Sequence, residues 1–105
     1  MHPEILRHKD AIAELCRRFG VTRLEVFGSA ARGEDFDPAR SDVDLLVEFG
    51  PGVKRSFGTL LGFEDAAAAV LGRRVDLVEF EAVAENRNPL KRRSILADAQ
   101  PLYPP

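Results

Sequence analysis

The chain has 105 residues, and its 45 % apolar and 30 % charged residues give the composition of a globular protein. This length predicts one domain over residues 1–105, with a core that needs no disulfide or metal. One cysteine and two histidines exclude a disulfide framework and a Cys-rich zinc site, and they argue against a His-based one. The net charge of −2 weighs against a protein whose main task is to hold a nucleic-acid backbone, so no direct nucleic-acid partner is expected.

No membrane partner is expected either. No apolar run reaches the roughly 20 residues that cross a bilayer. The N-terminus, from Met1 to Glu4, lacks the apolar stretch of a signal peptide. A cytoplasmic location is therefore the expectation.

The apolar pattern predicts helices and strands that follow one another along the chain. Apolar side chains three or four residues apart indicate helices, while alternation with polar ones indicates strands. The predicted elements are a helix over residues 4–19 ended by Gly20, a strand over 23–27, a helical turn over 30–33, a loop over 34–40, a strand over 41–49, a helix from 56 or 57 to 71 ended by Gly72, a strand over 74–80, and a helix from Asn88–Pro89 to about residue 99. This order implies a small α+β or α/β sheet with helices covering one face.

Two aspartates stand on one face of the clearest predicted strand. Asp42 and Asp44 are two residues apart, which places their side chains on the same side of a strand. Two such carboxylates repel each other unless a proton or a cation relieves the conflict. Mg²⁺ is typically held by one or two carboxylates together with substrate phosphates. If the third predicted strand lies alongside, Asp76 joins the same cluster, as in sites for phosphoryl transfer.

A glycine-serine turn follows the first predicted strand. Gly28 lets the backbone approach a phosphate closely, and the hydroxyl of Ser29 adds a hydrogen-bond donor. If a helical turn begins there, its free amides face an anion. Arg32 is close enough in sequence to add positive charge. Together these residues predict a phosphate-binding turn.

Each feature also has a simpler interpretation. A strand followed by Gly-Ser is common, and an Asp-x-Asp pair often lies on a solvated edge. Asp76 could be ion-paired with Arg73 or Arg74. A second pair, Asp35 and Asp37, falls in a polar loop without a fixed direction, and we expect it to be solvent-exposed rather than metal-binding. The conjunction of the three features at strand positions favours the functional interpretation.

The combination of Gly28-Ser29, Asp42-Val43-Asp44 and Asp76 resembles the DNA polymerase β-like nucleotidyltransferase superfamily. The stretches VFGSAARGE, SDVDLLVEF and GRRVDLV are most similar to its minimal nucleotidyltransferase branch, whose members are often antitoxins encoded beside HEPN-domain toxins. The resemblance implies an α+β fold with a mixed sheet of at least three strands and helices packed mainly on one face.

The resemblance also implies roles for residues of this chain. Asp42 and Asp44 would bind Mg²⁺, and Asp76 would help to bind metal and act as base. Gly28 and Ser29 would hold the triphosphate of ATP, with Arg32 nearby. AMP would then pass from ATP to a tyrosine hydroxyl of a cognate HEPN-type toxin.

Two other functions stay open at this stage. One is nucleotidyl transfer to a small molecule, although relatives of that kind carry an additional helical domain for the acceptor. The other is an antitoxin that blocks its partner sterically without catalysis. Only the catalytic function requires three clustered carboxylates, which favours it over steric binding.

Overall fold

A computed structural model gives the fold and describes residues 1–33, 36–54, 56–85 and 87–104. Its elements are α1 (Pro3–Leu6), α2 (Lys9–Phe19), β1 (Val21–Phe27), α3 (Ser29–Arg32), β2 (Val43–Phe49), α4 (Phe57–Leu71), β3 (Val75–Glu79), α5 (Phe80–Ala84), α6 (Pro89–Asp98) and β4 (Gln100–Tyr103). Within these described ranges, every helix is too short or too polar to cross a membrane.

The four strands form one mixed sheet in the order β3-β2-β1-β4. β1 is antiparallel to both β2 and β4, while β2 and β3 run parallel. The parallel pair is joined by α4, as a crossover connection requires. This arrangement confirms the predicted α+β class and the mixed sheet.

One face of the sheet packs against α2 and α4. Val43, Leu45 and Val47 of β2 alternate toward this face and are completely buried. Phe63 of α4 is also buried, and its ring meets the edges of neighbouring aromatic rings, with Phe19 at 5.5 Å between centroids. Each such side chain stabilises the fold by about 1.5–3 kcal/mol through burial. The opposite face of β2 carries Asp44 and Glu48 together with Leu46, which is completely buried.

The predicted helix over residues 4–19 is interrupted. It consists of α1 and α2, because the backbone leaves the helical conformation at His8, with φ −100° and ψ 8°. The side chain of His2 starts α1 by accepting a hydrogen bond from the Glu4 amide at 3.1 Å. Ile5 and Ile12 lie on either side of the break and are both buried in the core.

Two elements were not predicted from the sequence. The segment after β3 turns directly into α5, whose Val83 is buried. The C-terminal residues 100–103, which the sequence presents as a tail, form the edge strand β4 beside β1. Proline is compatible with an edge strand, where no partner needs its missing amide, and Leu102 of β4 is only 1 % exposed.

The predicted loop over residues 34–40 is partly a packed segment. Glu34 and Asp35 lie outside the described residues. Phe36 is buried and packs against the ring of His2, with 4.8 Å between centroids. Asp37 is exposed, as expected, and its carboxylate accepts a hydrogen bond from the Ala39 amide at 2.9 Å.

Candidate active site

The three aspartates lie on the sheet face opposite the main core. Asp44 of β2 is in direct register with Asp76 of the parallel strand β3. Residues in register on neighbouring strands project to the same face. Asp42 precedes Asp44 by two residues and approaches from the same side. The register of β2 and β3 therefore brings together three carboxylates that are separated in sequence.

The electrostatics of Asp44 show how close these groups are. Burial raises the pKa of Asp44 to about 6, and the charges of Asp76 and Asp42 add to the increase. A hydrogen bond between Asp44 and Asp76 acts in the same direction. The ionised form of Asp44 is therefore disfavoured among its acidic neighbours, and a bound cation would relieve this cost.

Arg73 does not neutralise this cluster. Its guanidinium lies 3.6 Å from Glu4 and donates a hydrogen bond to the carbonyl of Pro38 at 2.8 Å. The ring of Phe36 lies 5.1 Å from the same guanidinium. Within the described residues, the ion pair of Arg73 therefore runs to the N-terminal helix and not to Asp76.

Gly28 lies directly against the carboxylate of Asp44. Its φ of 72° and ψ of −152° belong to a region that only glycine enters readily. A Cβ atom at this position would lie 2.5 Å from Oδ2 of Asp44. The glycine is thus needed for its own conformation and for the carboxylate beside it. The sequence suggested a different reason, the close approach of a phosphate.

Ser29 and Arg32 begin and end the helical turn α3. Contacts with the rest of the protein hold the turn in place. Ala30 and Ala31 are buried, and the carbonyl of Ala30 accepts a hydrogen bond from the His2 amide at 2.8 Å. The charge of Arg32 lowers the pKa of Asp44, which places the guanidinium within electrostatic reach of the carboxylates. The predicted turn and the predicted carboxylates therefore border one site.

Asp98 is a neighbour of this site that the sequence did not reveal. Its Oδ2 lies 2.7 Å from Nη1 of Arg32 and accepts a hydrogen bond from it, although the two residues are 66 positions apart. No local pattern signals such a contact, because it depends on how α6 crosses the sheet beside α3. The ion pair joins the Gly-Ser turn to the C-terminal end of α6.

The chemistry of the carboxylates suits a hard cation. Among the residues with described positions, no three His, Cys, Asp or Glu side chains are already arranged to hold an ion in common. The donors are nevertheless all carboxylate oxygens, the ligands that Mg²⁺ prefers. Their mutual repulsion, seen in the raised pKa of Asp44, is relieved by a bound cation. The donor set at Asp42, Asp44 and Asp76 therefore fits a divalent metal.

Comparison with known proteins agrees with this geometry. Residues 8–102 match the nucleotidyltransferase domain family. A protein of Methanocaldococcus jannaschii that is named as a protein adenylyltransferase is 35 % identical over 91 residues, which cover 87 % of this chain and 89 % of that protein.

Two solved structures share the fold. A structure described as a minimal nucleotidyltransferase is 38 % identical, with a TM-score of 0.71 and 96 % of each chain covered. A complex of a tri-AMPylated HEPN toxin of Shewanella oneidensis with its MNT antitoxin matches with a TM-score of 0.63 at 16 % identity, covering 94 % of this chain and 71 % of that one. The likeness to this second structure concerns the fold alone.

Proposed function

The chain belongs to the nucleotidyltransferase domain family, and on that premise we propose that it is an antitoxin that transfers AMP from ATP to a tyrosine hydroxyl of a HEPN-type toxin. The nucleotidyltransferase activity follows from the family and from relatives named as protein adenylyltransferases. The toxin, the tyrosine and Mg²⁺ are the proposed part.

The carboxylates are the proposed metal ligands. Asp42, Asp44 and Asp76 would hold Mg²⁺, which when bound neutralises the charge of the triphosphate. The observation that carries this assignment is the register of Asp44 with Asp76, which places three acidic groups on one face. Without a bound cation, the repulsion between these carboxylates would lower the stability of the folded chain.

The remaining residues have roles toward the nucleotide and the acceptor. Gly28 and Ser29 would contact the β- and γ-phosphates, with Arg32 adding positive charge. Asp76 would accept the proton of the attacking tyrosine hydroxyl, and the exposure of its side chain makes it accessible to a second protein. A bond forms between the tyrosine oxygen and the α-phosphorus, and pyrophosphate leaves with the electrons of the broken bond. Such catalysis consists mainly of positioning and charge neutralisation.

Mass spectrometry of the co-expressed HEPN-type partner tests this function. We expect the partner to gain the mass of AMP when it is expressed with the wild-type chain. Asp42→Asn and Asp44→Asn should abolish the modification. Asp65→Asn, on the exposed surface of α4, is the matched control and should leave it unchanged.

The same experiment distinguishes the other two functions. A partner that stays unmodified in the presence of ATP and Mg²⁺, yet is neutralised, identifies a steric antitoxin. An unmodified and active partner, together with ATP consumption that depends on an added small-molecule hydroxyl, identifies a small-molecule nucleotidyltransferase. Either result would refute AMP transfer to the toxin.

A further inference from the structure

Helix α6 lies on the surface of the fold and contributes no residue to the core. None of its residues, Pro89–Asp98, is buried. It is nevertheless a well-started helix, because Asn88 caps it by accepting hydrogen bonds from the amides of Leu90 and Lys91. A helix on a globular protein usually buries an apolar stripe. Here Leu90 is 72 % exposed and Leu96 is 46 % exposed.

The exposed leucines share their surface with arginines. Helical spacing places Leu90, Arg93 and Ala97 along one side of α6. A groove of about 370 Å³ runs beside them and is lined by Pro89, Arg92, Arg93, Leu96 and Ala97. We call this combination of groove and exposed leucines the α6 surface. Its mixture of apolar and guanidinium groups resembles the composition of protein interfaces, where arginine is enriched.

The charge of this region has the opposite sign to that of the whole chain. Residues 87–98 contain four basic side chains and one acidic one, Asp98, whereas the chain has a net charge of −2. Asp98 is directed to Arg32, and the side chains of Lys91 and Arg93 are exposed. Complementary charge steers association, while like charges across an interface oppose it. The α6 surface therefore fits an acidic partner and disfavours a symmetric contact with a second copy of itself.

The C-terminal end of α6 lies beside the candidate active site. The 2.7 Å contact of Asp98 with Arg32 fixes the C-terminal end of α6 next to the Gly-Ser turn. Arg32 is in turn within electrostatic reach of Asp44. A protein that docks along α6 as far as its C-terminal end would consequently reach the edge of the carboxylate cluster, where an acceptor hydroxyl is needed.

We propose that the α6 surface is the docking site of the acceptor protein, which binds it through acidic side chains surrounding an apolar contact. This inference rests on the proposed transfer to a protein and adds the surface that selects that protein. The exposed leucines account for the preference for a protein over a nucleic acid, because phosphate backbone offers no partner for them.

The test compares two matched pairs of variants by their affinity for the HEPN-type partner and by AMP transfer to it. Leu90→Ser and Arg93→Glu alter the α6 surface. Phe57→Ser and Arg18→Glu are the controls, because Phe57 is 76 % exposed, Arg18 is also exposed, and they lie on the other helices α4 and α2. We expect each α6 variant to weaken partner binding by roughly tenfold or more, as truncation of a central contact does, and to reduce AMP transfer in proportion.

Binding of ATP with Mg²⁺, measured as an increase in melting temperature, should be the same in all four variants. Arg93→Glu changes only an exposed charge, so it remains informative if Leu90→Ser affects folding. Its effect on partner binding should diminish at high salt.

The outcomes separate this inference from the proposed function. If the wild-type chain transfers no AMP but the α6 variants lose partner binding, the proposed function fails and the docking surface stands. If the α6 variants bind and modify the partner as the wild type does, the docking surface is refuted. Loss of binding to poly(U) RNA with unchanged partner binding would also refute it, and would identify a nucleic-acid surface instead.

Discussion

At the residue scale, the backbone of Gly28 lies directly against the carboxylate of Asp44. The glycine adopts a backbone conformation that other residues avoid, and the space where its side chain would stand is taken by a carboxylate oxygen of Asp44. The carboxylate in turn retains a proton more readily than usual because of burial and the neighbouring acids. The two residues therefore constrain each other before any substrate is present.

Gly28→Ala should both destabilise the protein and displace Asp44. Strained backbone at a non-glycine residue costs about 1–3 kcal/mol, and the new methyl group would push the Asp44 side chain aside. Urea denaturation should show a loss of this size, together with loss of AMP transfer. Gly58→Ala is the matched control, because its Cβ would meet only Oγ of Ser56 at 3.7 Å. The control should be neutral or slightly stabilising, since alanine favours a helix. Equal stability of the two variants would contradict the packing of Gly28 against Asp44.

Asp44→Asn should stabilise the metal-free protein at neutral pH. The pKa of Asp44 is about 6 in the folded state against an ordinary value of 3.8, so the ionised form is disfavoured by folding. Above pH 6 the wild type carries this cost, and it disappears as the pH falls from about 6 toward 4. With about 1.4 kcal/mol per pKa unit, reduced by solvent screening of a half-buried group, the expected gain is about 1–2 kcal/mol.

Thermal melting in EDTA at several pH values measures this gain. The difference between Asp44→Asn and the wild type should be largest at pH 7.5 and should vanish near pH 4. An equal difference at every pH would show that the pKa of Asp44 is not raised in the folded protein.

At the scale of elements, the sequence predicted the helices and strands that show an apolar pattern in their own residues. The alternation of Asp42–Phe49 predicted β2 and the face of its aspartates, and apolar spacing predicted α4 with its end at Gly72. β2 and α4 each bury a periodic apolar stripe, so their pattern is visible without a partner, whereas α6 was predicted from its Asn88-Pro89 start and buries no residue. The sequence predicted that Asp76 lies beside Asp44 only if the third strand pairs with the second. It could not predict that pairing itself, because parallel pairing joins segments that are far apart in the sequence.

The elements that the sequence did not reveal depend on long-range contacts. β4 is short and begins with Gln100-Pro101, so it has strand character only because β1 offers an edge. Phe36 lies in a polar loop and is buried in part by the ring of His2 and the guanidinium of Arg73. The contact of Asp98 with Arg32 is of the same kind. No window of neighbouring residues contains this information.

Leu102→Ala should be strongly destabilising although it alters an apparent tail. Its side chain is 1 % exposed in β4, so truncation removes buried area and leaves a cavity that costs about 2–5 kcal/mol. Leu6→Ala is the matched control, because Leu6 is exposed on α1 and its truncation should change stability by less than about 0.5 kcal/mol. Chemical denaturation of both variants decides whether residues 100–103 are part of the folded sheet, since equal stabilities would mean that they are not.

At the scale of the whole molecule, both chain ends support the site. The N-terminal ammonium of Met1 donates a hydrogen bond to Oε1 of Gln100 at 3.1 Å, and the His2 amide donates to Ala30 in α3. Glu4 then pairs with Arg73, which follows α4. The Gly-Ser turn thus contacts an N-terminal segment that itself contacts β4 and Arg73. Ligand binding at the turn should therefore change the melting temperature of the entire domain.

ATP with Mg²⁺ should raise the melting temperature of the domain. A ligand that binds only the folded state stabilises it by about 2.7 kcal/mol at a concentration of 100 times its Kd. For a domain of this size, that corresponds to an increase of roughly 10 °C or more. Asp42→Asn and Asp44→Asn should remove most of the increase, while Asp65→Asn should keep it. An equal increase in all variants would place the nucleotide away from the carboxylates.

The ion pair between Arg32 and Asp98 has a thermodynamic consequence for regulation. It connects Arg32, whose charge acts on Asp44 of the candidate active site, with the helix on which the acceptor protein is proposed to dock. If docking changes the position of Asp98, the affinity for ATP changes by some factor, and reciprocity requires ATP to change the affinity for the acceptor by the same factor. Asp98→Asn would reduce this coupling without removing either binding site.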